Sequence, residues 1–181
     1  MKSLLKYILP VVLFLFLQSC SRADENDDVF TQEEISAIEL TVVDELSGAS
    51  STYTYIANSA FQPEILLQDG RSYLVSVAFR NGAEDITDEI IDERDEHFLI
   101  FGFTDTDITL TRLDDDLRTD GKRLGVKSRW LVNSAVNGGN PKLNLALIHD
   151  AAEVSEAQNG TAWGSVTGGE TDALAIFGIT D

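Results

Sequence analysis

His97 and His149 are the two histidines of the chain, and the residues around each give it a direction. In Leu143-Asn144-Leu145-Ala146-Leu147-Ile148-His149, read as a strand, residues 143, 145, 147 and 149 point to one face. Three leucines mark that face as the core side, so His149 stands at the core's rim, at the C-terminal end of its strand. In the segment that opens at His97, the residues His97, Leu99, Phe101 and Phe103 share a face. If the two segments pair antiparallel, both imidazoles emerge at the same end of the domain. The last apolar strand is entered through Gly168-Gly169-Glu170-Thr171-Asp172 and most simply runs antiparallel to the strand ending at His149. Strict alternation places Asp172 on the Leu174/Ile176 face, with Glu170 at the same parity, and Asp95 and Glu96 immediately precede His97. Imidazole and carboxylate suit a borderline cation such as Zn²⁺, with donor distances of about 2.0–2.2 Å. The candidate metal ligands are therefore His97, His149, Glu96, Glu170 and Asp172. Two further readings stand beside this one. The histidines are rim residues hydrogen-bonded to Asp or backbone, or they ligate a haem through both imidazoles.

No other cluster in the sequence makes a comparable case. Gly164-Ser165-Val166 lacks the order of a nucleophile elbow, and no phosphate-cradling glycine loop is present. Carboxylates are so numerous, 31 Asp+Glu against 13 Lys+Arg, that pairs of them say little about acid–base catalysis. The expectation is a protein without enzymatic activity. Asp114-Asp115-Asp116-Leu117-Arg118-Thr119-Asp120-Gly121 has alternate acids before a glycine, but it lacks a closing Glu and reads more simply as a hairpin loop with Asp-Gly at the turn. A net charge of −18 excludes a nucleic-acid partner, because phosphate binding needs a basic surface. A single cysteine excludes a disulfide scaffold.

The elements that must position the histidines are strands. From Ile35 onward, short runs of Val, Ile, Thr, Tyr and Phe alternate with Gly, Asn and Asp turns. Ile38, Leu40 and Val42 share a face, and Thr52 to Ile56 returns after Ser47-Gly48. Tyr73, Val75, Val77 and Phe79 form a period-2 stripe closed by Asn81-Gly82. Segments 98–103, 108–113, 125–132, 143–149 and 173–179 follow. Residues 63–67 read as a strand or a helical turn. The run from Glu84 to Glu96, eight acids and one base in thirteen residues, fits either a helix or a strand. The pattern predicts an all-β fold, a single antiparallel two-sheet sandwich of immunoglobulin-like size with about eight or nine strands. A closed barrel is the runner-up.

The N-terminus carries an address. Lys2 and Lys6 precede an apolar run from Tyr7 to Leu17, which is too short for a spanning helix of about 20 residues and fits the core of a signal peptide. Leu17-Gln18-Ser19-Cys20 resembles the lipobox of bacterial lipoproteins, which implies lipidation at Cys20 after removal of residues 1–19. Removal leaves 162 residues with 31 acids against 11 bases, a formal charge of −20. Residues 20–32 then form a lipidated cysteine and an acidic, flexible tether, and residues 33–181 the sandwich domain. The acidic stretch Asp24-Glu25-Asn26-Asp27-Asp28 is similar to the export signal of Bacteroidota lipoproteins bound for the outer face of the outer membrane.

Asp95-Glu96-His97-Phe98, Asp120-Gly121-Lys122-Arg123-Leu124-Gly125, Leu147-Ile148-His149-Asp150 and Gly169-Glu170-Thr171-Asp172 together carry a wider resemblance. Over residues 35–181 the chain resembles a family of small Bacteroidota outer-membrane lipoproteins that automated labels call "type 1 periplasmic binding fold" or "GTP cyclohydrolase". Neither label fits, since 162 residues cannot form two lobes and cyclohydrolase motifs are absent. The family's motifs fall here on Glu96/His97, His149/Asp150 and Glu170/Asp172. The segment after His149 is Asp-Ala-Ala-Glu-Val instead of a Glu-Pro-rich turn, and Leu99-Ile100 replaces a more aromatic pair. The location and the His/carboxylate rim together lead to the expectation of a surface lipoprotein that captures a divalent, Zn-like metal ion or metal-containing nutrient for a TonB-dependent receptor. The alternative is an adhesion or interaction lipoprotein that binds protein or glycan and whose histidines are structural, with Trp130 and Trp163 as stacking platforms.

Overall fold

The computed structural model describes residues 34–181. The signal peptide, Cys20 and the tether expected from the sequence lie outside the described residues. Glu33–Asp181 is one compact unit. Its strands are β1 (Ala37–Asp44), β2 (Ser50–Ile56), β3 (Glu64–Leu66), β4 (Ser72–Asn81), β5 (Glu84–Asp85), β6 (His97–Thr104), β7 (Asp107–Arg112), β8 (Lys127–Ser134), β9 (Lys142–His149), β10 (Glu153–Asn159), β11 (Ala162–Thr167) and β12 (Glu170–Thr180), with a short helix α1 (Thr87–Asp92) between β5 and β6. One sheet has the order β2-β1-β4-β8-β7 with β5 on β4, and the other β10-β11-β6-β9-β12-β3. The two sheets do not close, so the architecture is the expected sandwich, and the barrel is set aside.

Alternation builds the core. Ile38, Leu40 and Val42 of β1, Tyr73, Val75, Val77 and Phe79 of β4, and Trp130 and Val132 of β8 are buried from one sheet. Leu99, Phe101 and Phe103 of β6, Leu143, Leu145 and Leu147 of β9, and Ala175, Phe177 and Ile179 of β12 meet them from the other. Trp130 packs edge-on against Phe103 at 5.2 Å and Phe101 at 6.3 Å, which locks the sheets together at mid-core. Its indole N–H donates to Ser128 Oγ. Trp130 is wholly buried and is not the sugar platform that the sequence suggested, whereas Trp163 is half-buried with its indole N–H held by the Ile108 carbonyl.

Two strands, β10 and β11, escaped the sequence pattern, and the two segments it left open, 63–67 and Glu84 to Glu96, resolve as β3 and as β5 followed by α1. The β10–β11 hairpin is polar and carries no stripe, and β3 adds only three residues, in parallel, to β12. The acidic run resolves into β5, which pairs with β4, and then α1, pinned by buried Ile86 and Ile90 with its carboxylates outward.

β7 and β8 pair antiparallel, so the segment between them is the expected hairpin loop, and it is long and packed. Leu99 N–H of β6 donates to the Leu124 carbonyl, so this loop lies beside β6 where β11, paired with it only at Trp163 and Ala162, has diverged. Buried Arg112 fills the seam. Its guanidinium donates to the carbonyls of Leu99, Arg123 and Leu124, and it stacks 4.3 Å over the Phe98 ring. Burial lowers its pKa to about 10, so it remains charged at neutral pH. Asp114, also buried, accepts from the N–H groups of Gly125 and Lys127.

Candidate functional site

Antiparallel pairing of β6 and β9 sets His97 directly opposite His149, and β9 pairs on its other side with β12. Three strands thus bring their ends to one edge of the sandwich. The imidazoles meet edge to face, with centroids 4.9 Å apart and planes at 87°.

Asp172 joins them by a route that alternation hides. The core face of β12 is Ala175, Phe177 and Ile179, whereas Leu174 is 52% exposed. The register shifts between Thr171 and Ala173, so one extra residue is accommodated there as a bulge. That residue is Asp172, whose side chain turns to the histidines and is only 4% exposed. The expectation that it shares a face with Leu174 and Ile176 is corrected accordingly. Glu170 stands opposite His149 in register, yet it is exposed and belongs to neither group of potential metal donors among the described residues.

Those two groups are His97/His149/Asp172 and Glu96/His149/Asp150. In the inner one, Asp172 Oδ2 lies 3.2 Å from His149 Nδ1 and 3.5 Å from His97 Nε2. The opposite nitrogen of each ring faces an acceptor. His97 Nδ1 is 3.2 Å from the Glu93 carbonyl, and His149 Nε2 lies 3.4 Å from Asp150 Oδ2 and 3.7 Å from Glu96 Oε2. Asp172 Oδ1 is buried and takes no hydrogen bond from any of the described residues. Asp150 continues the pairing beyond the strands, its N–H donating to the Glu96 carbonyl at 2.7 Å.

Burial, followed by the neighbouring His149, holds the pKa of His97 below the ordinary histidine value of 6.5. Its ring is therefore neutral at pH 7. The unfolded chain accepts a proton that the folded chain refuses, so stability contributed by neutral His97 is intact above pH 6.5 and falls as the pH drops below it. Urea midpoints of the metal-free chain should decline between pH 7.5 and 5.5, and more steeply than those of a His97→Phe variant. Equal slopes would contradict this burial argument.

The segment around His97 is stitched from outside. Arg118, whose side chain is 7% exposed, donates to the carbonyls of His97 and Arg94. Thr119 N–H donates to Asp95 Oδ1, and Arg94 Nε to the Leu117 carbonyl. Sequence reasoning missed Arg118 because an arginine in a polar loop carries no mark of burial. It noted Asp150 only as the partner of His149 in a family motif.

Gly169 allows the third strand its approach. It sits at φ +84°, and a Cβ there would come within 2.6 Å of the His149 carbonyl oxygen. Gly169→Ala is expected to cost about 2 kcal/mol or more, from the left-handed backbone and the clash together. Chemical denaturation checks this, and a loss below about 0.5 kcal/mol would show that the turn adjusts freely.

The geometry also removes the haem reading. A macrocycle ligated by both rings must lie between them, and rings in contact at 4.9 Å leave no space for one. The inner group can share a proton or hold a single small cation. No family model matches the chain, and no curated protein or solved structure matches it.

Proposed function

We propose that the protein is a lipid-anchored binding module of the bacterial outer membrane that captures a divalent cation of zinc type between His97 Nε2, His149 Nδ1 and Asp172 Oδ2. The observation that carries the reading is the convergence of two imidazole nitrogens on one oxygen of a buried carboxylate. Donors placed tetrahedrally at about 2.0–2.1 Å from one ion stand about 3.3 Å apart. The separations of 3.2 and 3.5 Å fit that spacing. A metal-binding imidazole usually donates its other N–H to a carbonyl or carboxylate, which fixes the tautomer. Glu93 carbonyl serves His97 in this way, and Asp150 with Glu96 serves His149. With Nδ1–H of His97 donated to Glu93, its Nε2 lone pair faces a carboxylate oxygen, and a cation between them turns that repulsion into attraction.

Two nitrogens and one oxygen, with no sulfur, suit Zn²⁺ and neighbouring divalent metals over Cu⁺ or Ca²⁺. Three protein donors leave a coordination position open, as in exchangeable sites rather than closed structural ones. That supports capture and release, and with the lipobox-like Leu17-Gln18-Ser19-Cys20 it supports delivery to a TonB-dependent receptor in the same membrane. The acidic residues from Glu84 to Glu96 draw cations to this end of the domain.

Linkage provides the test. Zinc at about 100 times its Kd stabilises the folded state by about 2.7 kcal/mol, which raises the Tm of a domain this size by about 5–10 °C. Chelator should reverse the shift. A Tm indifferent to both zinc and chelator would refute the reading.

A further inference from the structure

We infer that β2 is a self-association edge, through which two copies of this chain pair antiparallel into one continuous sheet. Four strands end the two sheets: β2 and β7 in one, β10 and β3 in the other. Proteins protect such edges with charge, with brevity or with a covering group, because the outer backbone groups of an edge strand are a template for another strand. Three of the four edges follow this rule. β7 opens on exposed Asp107 and its Ile108 carbonyl is taken by the Trp163 indole N–H, and β10 contains Glu153 and Glu156. β3 has three residues, and its Leu66 N–H is taken by the Tyr53 hydroxyl at 3.1 Å.

Among the described residues, β2 has none of these protections. Its seven residues, Ser-Ser-Thr-Tyr-Thr-Tyr-Ile, are strong strand formers without charge or proline, and they pair with β1 in unbroken register from Ser50 to Ile56. No other strand among the described residues lies on its outer side. The absence of charge extends well beyond the strand. Leu46 to Pro63 is an 18-residue stretch with no charged residue, in a chain whose 24% content of charged residues predicts about four. Leu46, Ile56 and Phe61 within it are 81%, 56% and 71% exposed.

The charge distribution selects the occupant. Two copies with a formal charge of −18 repel when their acidic faces approach, whereas this edge brings no carboxylate of its own to the contact. A strand paired antiparallel with its own copy is two-fold symmetric, so the assembly closes at a dimer and does not grow into a fibre. Thr52 already lies beside Thr41 on the outer face of the sheet at 3.2 Å, and Thr54 is in register with Glu39 on that same face. Lysines at these two positions would put like charges at the contact without entering the core.

The experiment is sedimentation velocity of the full chain in density-matched detergent, over about a hundredfold range of concentration. The native chain should move from monomer to dimer mass as concentration rises. Thr52→Lys/Thr54→Lys should remain monomeric. Thr109→Lys/Thr111→Lys, which adds the same charge to exposed positions of β7 at the other end of the same sheet, should still dimerise. Equal melting temperatures of the three proteins show that the fold is retained. A native chain that stays monomeric throughout overturns the inference and leaves the edge to a different partner or none. A dimer that survives the β2 lysines, or one that the β7 lysines also abolish, overturns it too.

Discussion

Asp172→Asn is expected to weaken zinc binding by more than the 10–100-fold that loss of an outer-shell partner typically costs. Stability of the metal-free protein should barely change. Asp172 Oδ2 lies within 3.5 Å of a ring nitrogen of each histidine, so it contributes a ligand and sets the spacing of the other two. Asparagine keeps the volume and offers a neutral oxygen, removing the negative charge that offsets the desolvation of a buried cation. Affinity measured by competition with a zinc-sensitive dye, beside the urea midpoint of the metal-free chain, separates the two effects. Asp150→Asn is the companion variant, because its carboxylate lies 3.4 Å from the outward nitrogen of His149 and is 73% exposed. It should fall within the smaller, outer-shell range. Equal losses for the two variants would mean that the acidic end attracts cations diffusely and that Asp172 is not a ligand.

The largest expected effect on folding belongs to Arg112. Arg112→Met is expected to destabilise the domain by about 3–5 kcal/mol, a loss of the size seen when a buried charged hydrogen-bonding partner is removed. Methionine fills much of the seam between β6 and the loop at Leu124, but it offers no donor to the carbonyls of Leu99 and Arg123. Each buried acceptor left unpaired costs about 1–3 kcal/mol. The cation's stacking on Phe98 and its 5.6 Å approach to Phe101 are lost as well. Arg112→Lys should recover only part of the loss, since an ammonium cannot span the carbonyls that the planar guanidinium reaches from two sides. A loss under about 1 kcal/mol would show that water replaces the side chain in the seam.

Hydrophobic alternation made the two-sheet architecture and the meeting of His97 with His149 legible. Leu143, Leu145 and Leu147 fix the facing of His149, and Leu99, Phe101 and Phe103 that of His97, because a one-residue slip would expose either set. Asp172 was counted among the candidates, although its orientation was not legible. A bulge breaks period 2 without any residue that announces it, and so alternation placed the side chain beside Leu174. Glu170 illustrates the converse: it is in register with His149, but nothing turns its side chain inward. The β10–β11 hairpin was missed because Glu153 to Asn159 has no apolar face, and its place in the sheet depends on tertiary pairing. Arg112 shares the parity of Ile108 and Leu110, so alternation alone directs it to the core. Only the carbonyls assembled by distant segments explain why a guanidinium is tolerated there.

The most direct test of the cation site is calorimetric titration of zinc into the full chain, side by side with His97→Ala/His149→Ala. The account predicts one equivalent of zinc bound by the native chain and none by the double variant. Absence of binding by the native chain, or undiminished binding by the variant, would contradict it and leave two histidines that only hydrogen-bond the end of the sandwich.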